Sequence, residues 1–170
     1  AGEITLHGAD ASLSVFGSAD RVEIAETAAS ASVMVATDAS VETVAISAAQ
    51  TELSAYGSIA SVDVTKQAAD TLVSAESGAQ IDRVSTAGTG TTVKGAGKVS
   101  HVAVSDGASG VTVNTIGSKI DNNSSEAVSS GTGSIQPGHA GTSNGENSAP
   151  TQDGPSSGGS GSGGGDTVQQ

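Results

Sequence analysis

The charged residues that could meet a ligand recur at regular intervals. Glu3, Arg21, Thr43, Ser61, Arg83, His101 and Lys119 share one recurring outward position, and its last three members put basic groups in succession. On stacked strands such groups stand about 4.8 Å apart, where they repel unless acids or an anionic ligand offset them. Asp20, Glu42 and Asp82 occupy the adjacent position and supply acids. A solvated charge ladder is the plain expectation there, and contact with an anion or polysaccharide is the sharper one. Phe16 and Tyr56, the only aromatic residues of the chain, fall forty residues apart in a second outward position. Exposed rings on a flat face can stack on sugars, although Ala36, Glu76, Ala96 and Asn114 do not continue the pattern. Phe16, Tyr56, Arg83, His101 and Lys119 are therefore the candidate ligand face.

Other chemistries find little support. Asp20 and Glu42 could share a cation between coils, but Ala60 interrupts their column and the G-G-x-G-x-D repeat of calcium solenoids is missing. His7, His101 and His139 are scattered, and neither coil histidine falls in an inward position, which a hydrolase triad would need. Gly90 to Gly95 has the spacing of a phosphate loop, but Ala96 stands where that loop requires lysine. We expect no catalytic residue, no metal site, no cofactor and no enzyme activity. The absence of cysteine excludes disulfides and thiolate metal sites. A formal charge of −12 argues against nucleic acid or anionic lipid as a partner, and no apolar run reaches membrane-spanning length.

The elements that would position these residues follow from an internal repeat. Val-x-Val-like pairs begin at Ile4, Val22, Val44, Val62, Val84 and Val102, with a partial one at Ile120, at steps of 18 or 22 residues. A second pair follows in each coil, at Leu13/Val15, Val33/Val35, Leu53/Ala55, Val73/Ala75, Val93/Gly95 and Val111/Val113. Period-two alternation turns both members of each pair inward. Ala19, Val41, Ile59, Ile81 and Val99 add a third inward column. Ala9, Ala29, Ala49, Ala69, Thr89 and Gly107 form a narrow fourth. The fold class is thus all-β: a single-stranded parallel β-helix, right-handed, of about six coils of 18 or 22 residues, followed by a disordered tail. A left-handed hexapeptide solenoid would place inward residues every six positions, which this chain does not.

Gly17, Gly57 and Gly97 recur every forty residues just after the second strand and are expected to adopt positive φ. Asp121, Asn122 and Asn123 are expected to blunt the C-terminal edge with polar side chains. The boundaries are residues 1–128 for the solenoid and 129–170 for a Gly/Ser/Pro-rich disordered linker, because apolar columns end at Ile120. The opening AGEITL, with no Met and no basic-then-apolar leader, reads as a processed product or an excised piece. Flanking domains of a larger chain are accordingly expected as partners.

Over Val93 to Val128 the chain resembles the β-helical repeat stretches of secreted and surface-attached Gram-positive bacterial proteins. The resemblance rests on Gly95, Gly97, Val99, Val102 and Val104, then Gly107, Gly110, Val111 and Val113, ahead of a Gly/Ser/Thr/Pro-rich linker. It covers the last two coils well and the first four loosely. It implies a non-enzymatic spacer or display module, secreted or at the bacterial cell surface, and carries over no functional residue. The alternatives are a carbohydrate- or cell-wall-binding module contacting cell-surface polysaccharide through an outward face, and third a polysaccharide lyase-like β-helix.

Overall fold

Valine and isoleucine at every second position cannot form an amphipathic helix but suit a pleated surface buried on one side. In the computed structural model, residues 2–144 are described and carry strands and no helix. The first turns contribute β1 (Glu3–Leu6), β2 (Ser12–Val15), β3 (Ser18–Ile24) and β4 (Ser32–Val35). They continue as β5 (Ser40–Ile46), β6 (Glu52–Ala55), β7 (Ser58–Val64) and β8 (Leu72–Ala75). Next come β9 (Gln80–Thr86), β10 (Thr92–Lys94), β11 (Lys98–Val104) and β12 (Thr112–Asn114). The stack closes with β13 (Ile116–Asn122), β14 (Val128–Ser130), β15 (Gly133–Ile135) and β16 (His139–Asn144).

These strands form two facing sheets, β1-β3-β5-β7-β9-β11-β13-β16 and β2-β4-β6-β8-β10-β12-β14-β15. All pairings are parallel up to the last strand of each sheet. The chain is a β-solenoid of about six coils, as its repeat predicts. Ile4, Val22, Val44, Val62, Val84, Val102 and Ile120 stack in one column. From Val22 onward that column is fully buried. Val41, Ile59, Ile81 and Val99 form the second inward column of the same sheet, and Val33, Leu53, Val73, Val93 and Val113 face them from the other. Each such side chain contributes roughly 1.5–3 kcal/mol on burial, so the thin interior gains its stability by repetition.

Steps on the first sheet are 18, 22, 18, 22, 18 and 18 residues. On the second sheet every step from β2 to β12 is 20: Ser12, Ser32, Glu52, Leu72, Thr92 and Thr112 pair in succession. The sequence reading misplaced the last of these. Val93 pairs with Val113 and not with Val111, because the connection out of β11 is of the long kind, eleven residues from Val102 to Val113 as from Val22 to Val33. A short return of seven residues to Ile120 makes up the difference. Val111 instead takes the buried place held below it by Thr91 and Thr71.

The corner column also needs correcting by one residue. Ala28, Ala48, Ala68, Gly88 and Ala108 are the buried members, whereas Ala29, Ala49 and Ala69 are only half-buried. The reason is a residue at positive φ in each coil, Asp10, Ser30, Gln50, Asp70, Gly90 and Gly110, at 54 to 71°. This left-handed residue breaks the period-two alternation on which the reading rested. Its N–H donates to the next coil's carbonyl, as Gln50 does to Ala69 at 2.7 Å and Asp70 to Thr89 at 2.8 Å.

Gly17, Gly57 and Gly97, by contrast, do not adopt positive φ. Gly57 and Gly97 are required by close approach: a Cβ on Gly57 would stand 2.3 Å from the carbonyl oxygens of Ala36 and Ala39, and one on Gly97 would stand 2.4 Å from that of Glu76. Around Gly17 nothing lies within 4 Å.

The solenoid boundary at 128 moves to at least 144. Val128–Ser130 stacks parallel on β12, then Gly133–Ile135 folds back antiparallel on it, and His139–Asn144 lies antiparallel on β13. Asn122 is part of this closure and not a solvated edge. It is buried, donates from Nδ2 to the carbonyls of Glu126 at 2.7 Å and Ile135 at 2.9 Å, and accepts from the Ser124 hydroxyl at 2.7 Å. Thr115, Ser118 and Ser143 are likewise buried and joined through their hydroxyls. The rest of the expected disordered linker, residues 145–170, lies outside the described residues.

Candidate functional site

Side chains fill the interior, so any ligand must meet an outward column. Along β3, β5, β7, β9 and β11 the pattern is out, in, out, out, in, with Asp20 and Arg21 both exposed between buried Ala19 and Val22. This bend separates two outward strips and leaves a groove of about 300 Å³ on the near side. Ser18, Ser40 and Ser58 edge it on one flank, and Asp20, Glu42 and Asp82 on the other. Ala60 interrupts the carboxylates as read from the sequence. Among the described residues no group of three or more His, Cys, Asp or Glu side chains is placed to hold a metal ion. No helix of the described residues is long and apolar enough to cross a membrane.

The basic strip lies beyond the bend. Arg83, His101 and Lys119 are register partners in successive strands, as expected. Acids and hydroxyls already engage this strip. His101 Nε2 lies 2.6 Å from Asp121 Oδ2, and Arg83 Nε donates to the Ser85 hydroxyl at 3.1 Å. At the other end Arg21 pairs with Glu3 at 3.6 Å and Glu23 at 3.5 Å. These are exposed or half-exposed pairs in a solvated ladder, the kind that contributes about 1 kcal/mol or less.

Phe16 and Tyr56 occupy a different strip, at the turn that leads into the first sheet, five residues before the basic column along each coil. The two halves of the candidate ligand face are therefore not brought together. The uniform step of 20 on the neighbouring sheet also changes the membership of the aromatic column. Carried past β12, the step of 20 sets Ile116, the first residue of β13, beside Ala96 as the next position after Phe16, Ala36, Tyr56, Glu76 and Ala96, in place of Asn114, which pairs with Lys94 in another column. Phe16 is 75% exposed, Tyr56 40% and Ile116 76%, and these are the exposed large hydrophobic residues of the described chain. Sequence reasoning missed Ile116, although I-G-S at 116–118 repeats the F-G-S at 16–18 and the Y-G-S at 56–58. Beside Ile116, Gly95, Ala96, Gly97 and Lys98 line a recess of about 220 Å³.

Compared with protein-family models, curated proteins and solved structures, the chain matches none. The class that the fold defines is the β-solenoid, and the resemblance to Gram-positive surface repeats has only the coil pattern behind it.

Proposed function

We propose that this chain is a non-enzymatic structural spacer or display module of an exported bacterial surface protein. The observation that carries this reading is the unbroken register. From β2 to β12 every step on the second sheet is the same, and the interior column from Val22 to Ile120 is fully buried throughout. Such a stack turns sequence length into distance, at about 4.8 Å per coil, because each coil is hydrogen-bonded only to its neighbours. The resemblance over Val93 to Val128 supplies the surface setting.

The carbohydrate-binding alternative draws less from the geometry. Glu76 and Ile116, not further rings, continue the aromatic column, and Asp121 already faces His101 in the basic one. The lyase-like alternative would need basic groups gathered in a groove, whereas carboxylates and serines line the groove present.

The test is to place the chain between a cell-surface anchor and a reporter epitope, beside a Gly/Ser linker of equal residue number. The spacer reading expects epitope access by a bulky antibody to rise with each added pair of coils. Access that ignores coil number would overturn it, as would specific retention on a glycan array or cleavage of acidic polysaccharide by the purified chain.

A further inference from the structure

We propose that the column Phe16, Ala36, Tyr56, Glu76, Ala96 and Ile116 is a self-association face, on which a second copy of the chain lies antiparallel. This inference is independent of the spacer reading. Every exposed large hydrophobic side chain among the described residues falls in this one column, whereas single exposed apolar residues would normally be scattered. The column is also self-complementary in shape. Phe16, in the first coil, is 75% exposed. Four coils further, Ala96 between Gly95 and Gly97 leaves a recess walled by Ile116. The recess is about 220 Å³ and open to solvent, so a ring can enter it from outside.

A two-fold axis at Tyr56, in the third coil, sets the first coil of one copy against the fifth of the other. Each Phe16 then enters the other copy's recess, and the two Tyr56 rings meet at the centre. A glycan platform would have no use for a recess where its third ring should stand.

Charge selects the antiparallel arrangement. Residues 2–64 carry nine carboxylates and one basic group, Arg21, whereas residues 65–144 carry six carboxylates and five basic groups, Lys66, Arg83, Lys94, Lys98 and Lys119. Copies side by side in parallel would set the two acidic halves together. Antiparallel copies set each acidic half against the half that holds the lysines, with Lys98 towards the flank of Ser18 and Asp20. The strip is one column wide, below the area of a standard interface, so the association is weak and reversible.

Sedimentation equilibrium of the whole 170-residue chain over a hundredfold concentration range tests this. The wild type should show a monomer–dimer equilibrium, and Phe16→Ser should weaken it at least about tenfold, the weight of one central aromatic anchor. Ala96→Phe is the discriminating variant: it fills the recess and should weaken dimerisation as much, whereas a merely sticky surface or a sugar platform would gain from the added ring. In this cysteine-free chain, Tyr56→Cys should oxidise readily to a disulfide-linked dimer across the axis. Circular dichroism shows whether these outward substitutions keep the fold. A chain that stays monomeric throughout, an Ala96→Phe variant that associates more strongly, or binding of soluble glycans to the wild-type column would each overturn the proposal.

Discussion

Gly57 is pressed against Ala39 of the coil before it, so closely that a methyl group on Gly57 would stand 2.3 Å from the Ala39 carbonyl oxygen. Gly17 occupies the same place two coils earlier with nothing within 4 Å. Neither glycine has positive φ, so backbone strain plays no part in the comparison. Gly57→Ala should destabilise the protein by about 1–3 kcal/mol through overpacking against backbone that cannot move aside. Gly17→Ala should stay within about 0.5 kcal/mol of wild type. Urea denaturation of the two variants measures the difference, and equal midpoints would contradict it.

The left-handed corner gives a prediction of opposite signs within one column. Gln50 adopts φ 57° with an ordinary side chain, while Gly110 adopts φ 61° with none. Gln50→Gly should stabilise by up to about 1 kcal/mol, the relief of strain being partly offset by the freedom glycine adds to the unfolded chain. Gly110→Ala should destabilise by about 1–2 kcal/mol. Thermal unfolding midpoints that move in the same direction for both would refute the corner assignment.

Thr51, Thr71 and Thr91 stack in a buried column that Val111 completes. Thr51 donates its hydroxyl to the Ala48 carbonyl at 3.0 Å and Thr91 shares a 2.8 Å bond with Thr86, but the Thr71 hydroxyl has no partner. Replacing an unsatisfied buried hydroxyl with a methyl group of the same shape removes a desolvation cost of about 1–3 kcal/mol. Thr71→Val should therefore raise the unfolding midpoint, while Thr51→Val should leave it unchanged or lower it. A lower midpoint for Thr71→Val would show that its hydroxyl is satisfied in solution.

The first sheet could be read from the sequence almost completely, because Val22, Val44, Val62, Val84 and Val102 alternate with polar neighbours and only one register buries them all. The second strand of the last coil could not. Val111 and Val113 offer two apolar registers one step of alternation apart, and only the length of the turn at 105–110 decides between them. That choice also hid Ile116 from the aromatic column. The closing strands escaped notice for a different reason. Ser130 and Ser143 face inward there, Asn122 is buried with them, and the backbone pairs antiparallel, so polarity that suggested a linker marks a cap. Positive φ at Asp10, Ser30, Gln50 and Asp70 was equally invisible, since glycine takes over that position only at residues 90 and 110.

The central claim is that the chain is a uniform stack in which residue number sets length, and removing one forty-residue repeat tests it most directly. Excising residues 32–71 joins Ala31 to Leu72, which sets β8 on β2 and β9 on β3 with every inward column intact. Spin labels at Ser14→Cys and Lys94→Cys, two exposed positions of one column four coils apart, should be separated by about 19 Å along the axis in the full chain. In the excised chain that separation should fall by about 10 Å, with cooperative unfolding retained. An unchanged distance, or loss of the cooperative transition on excision, would contradict the account.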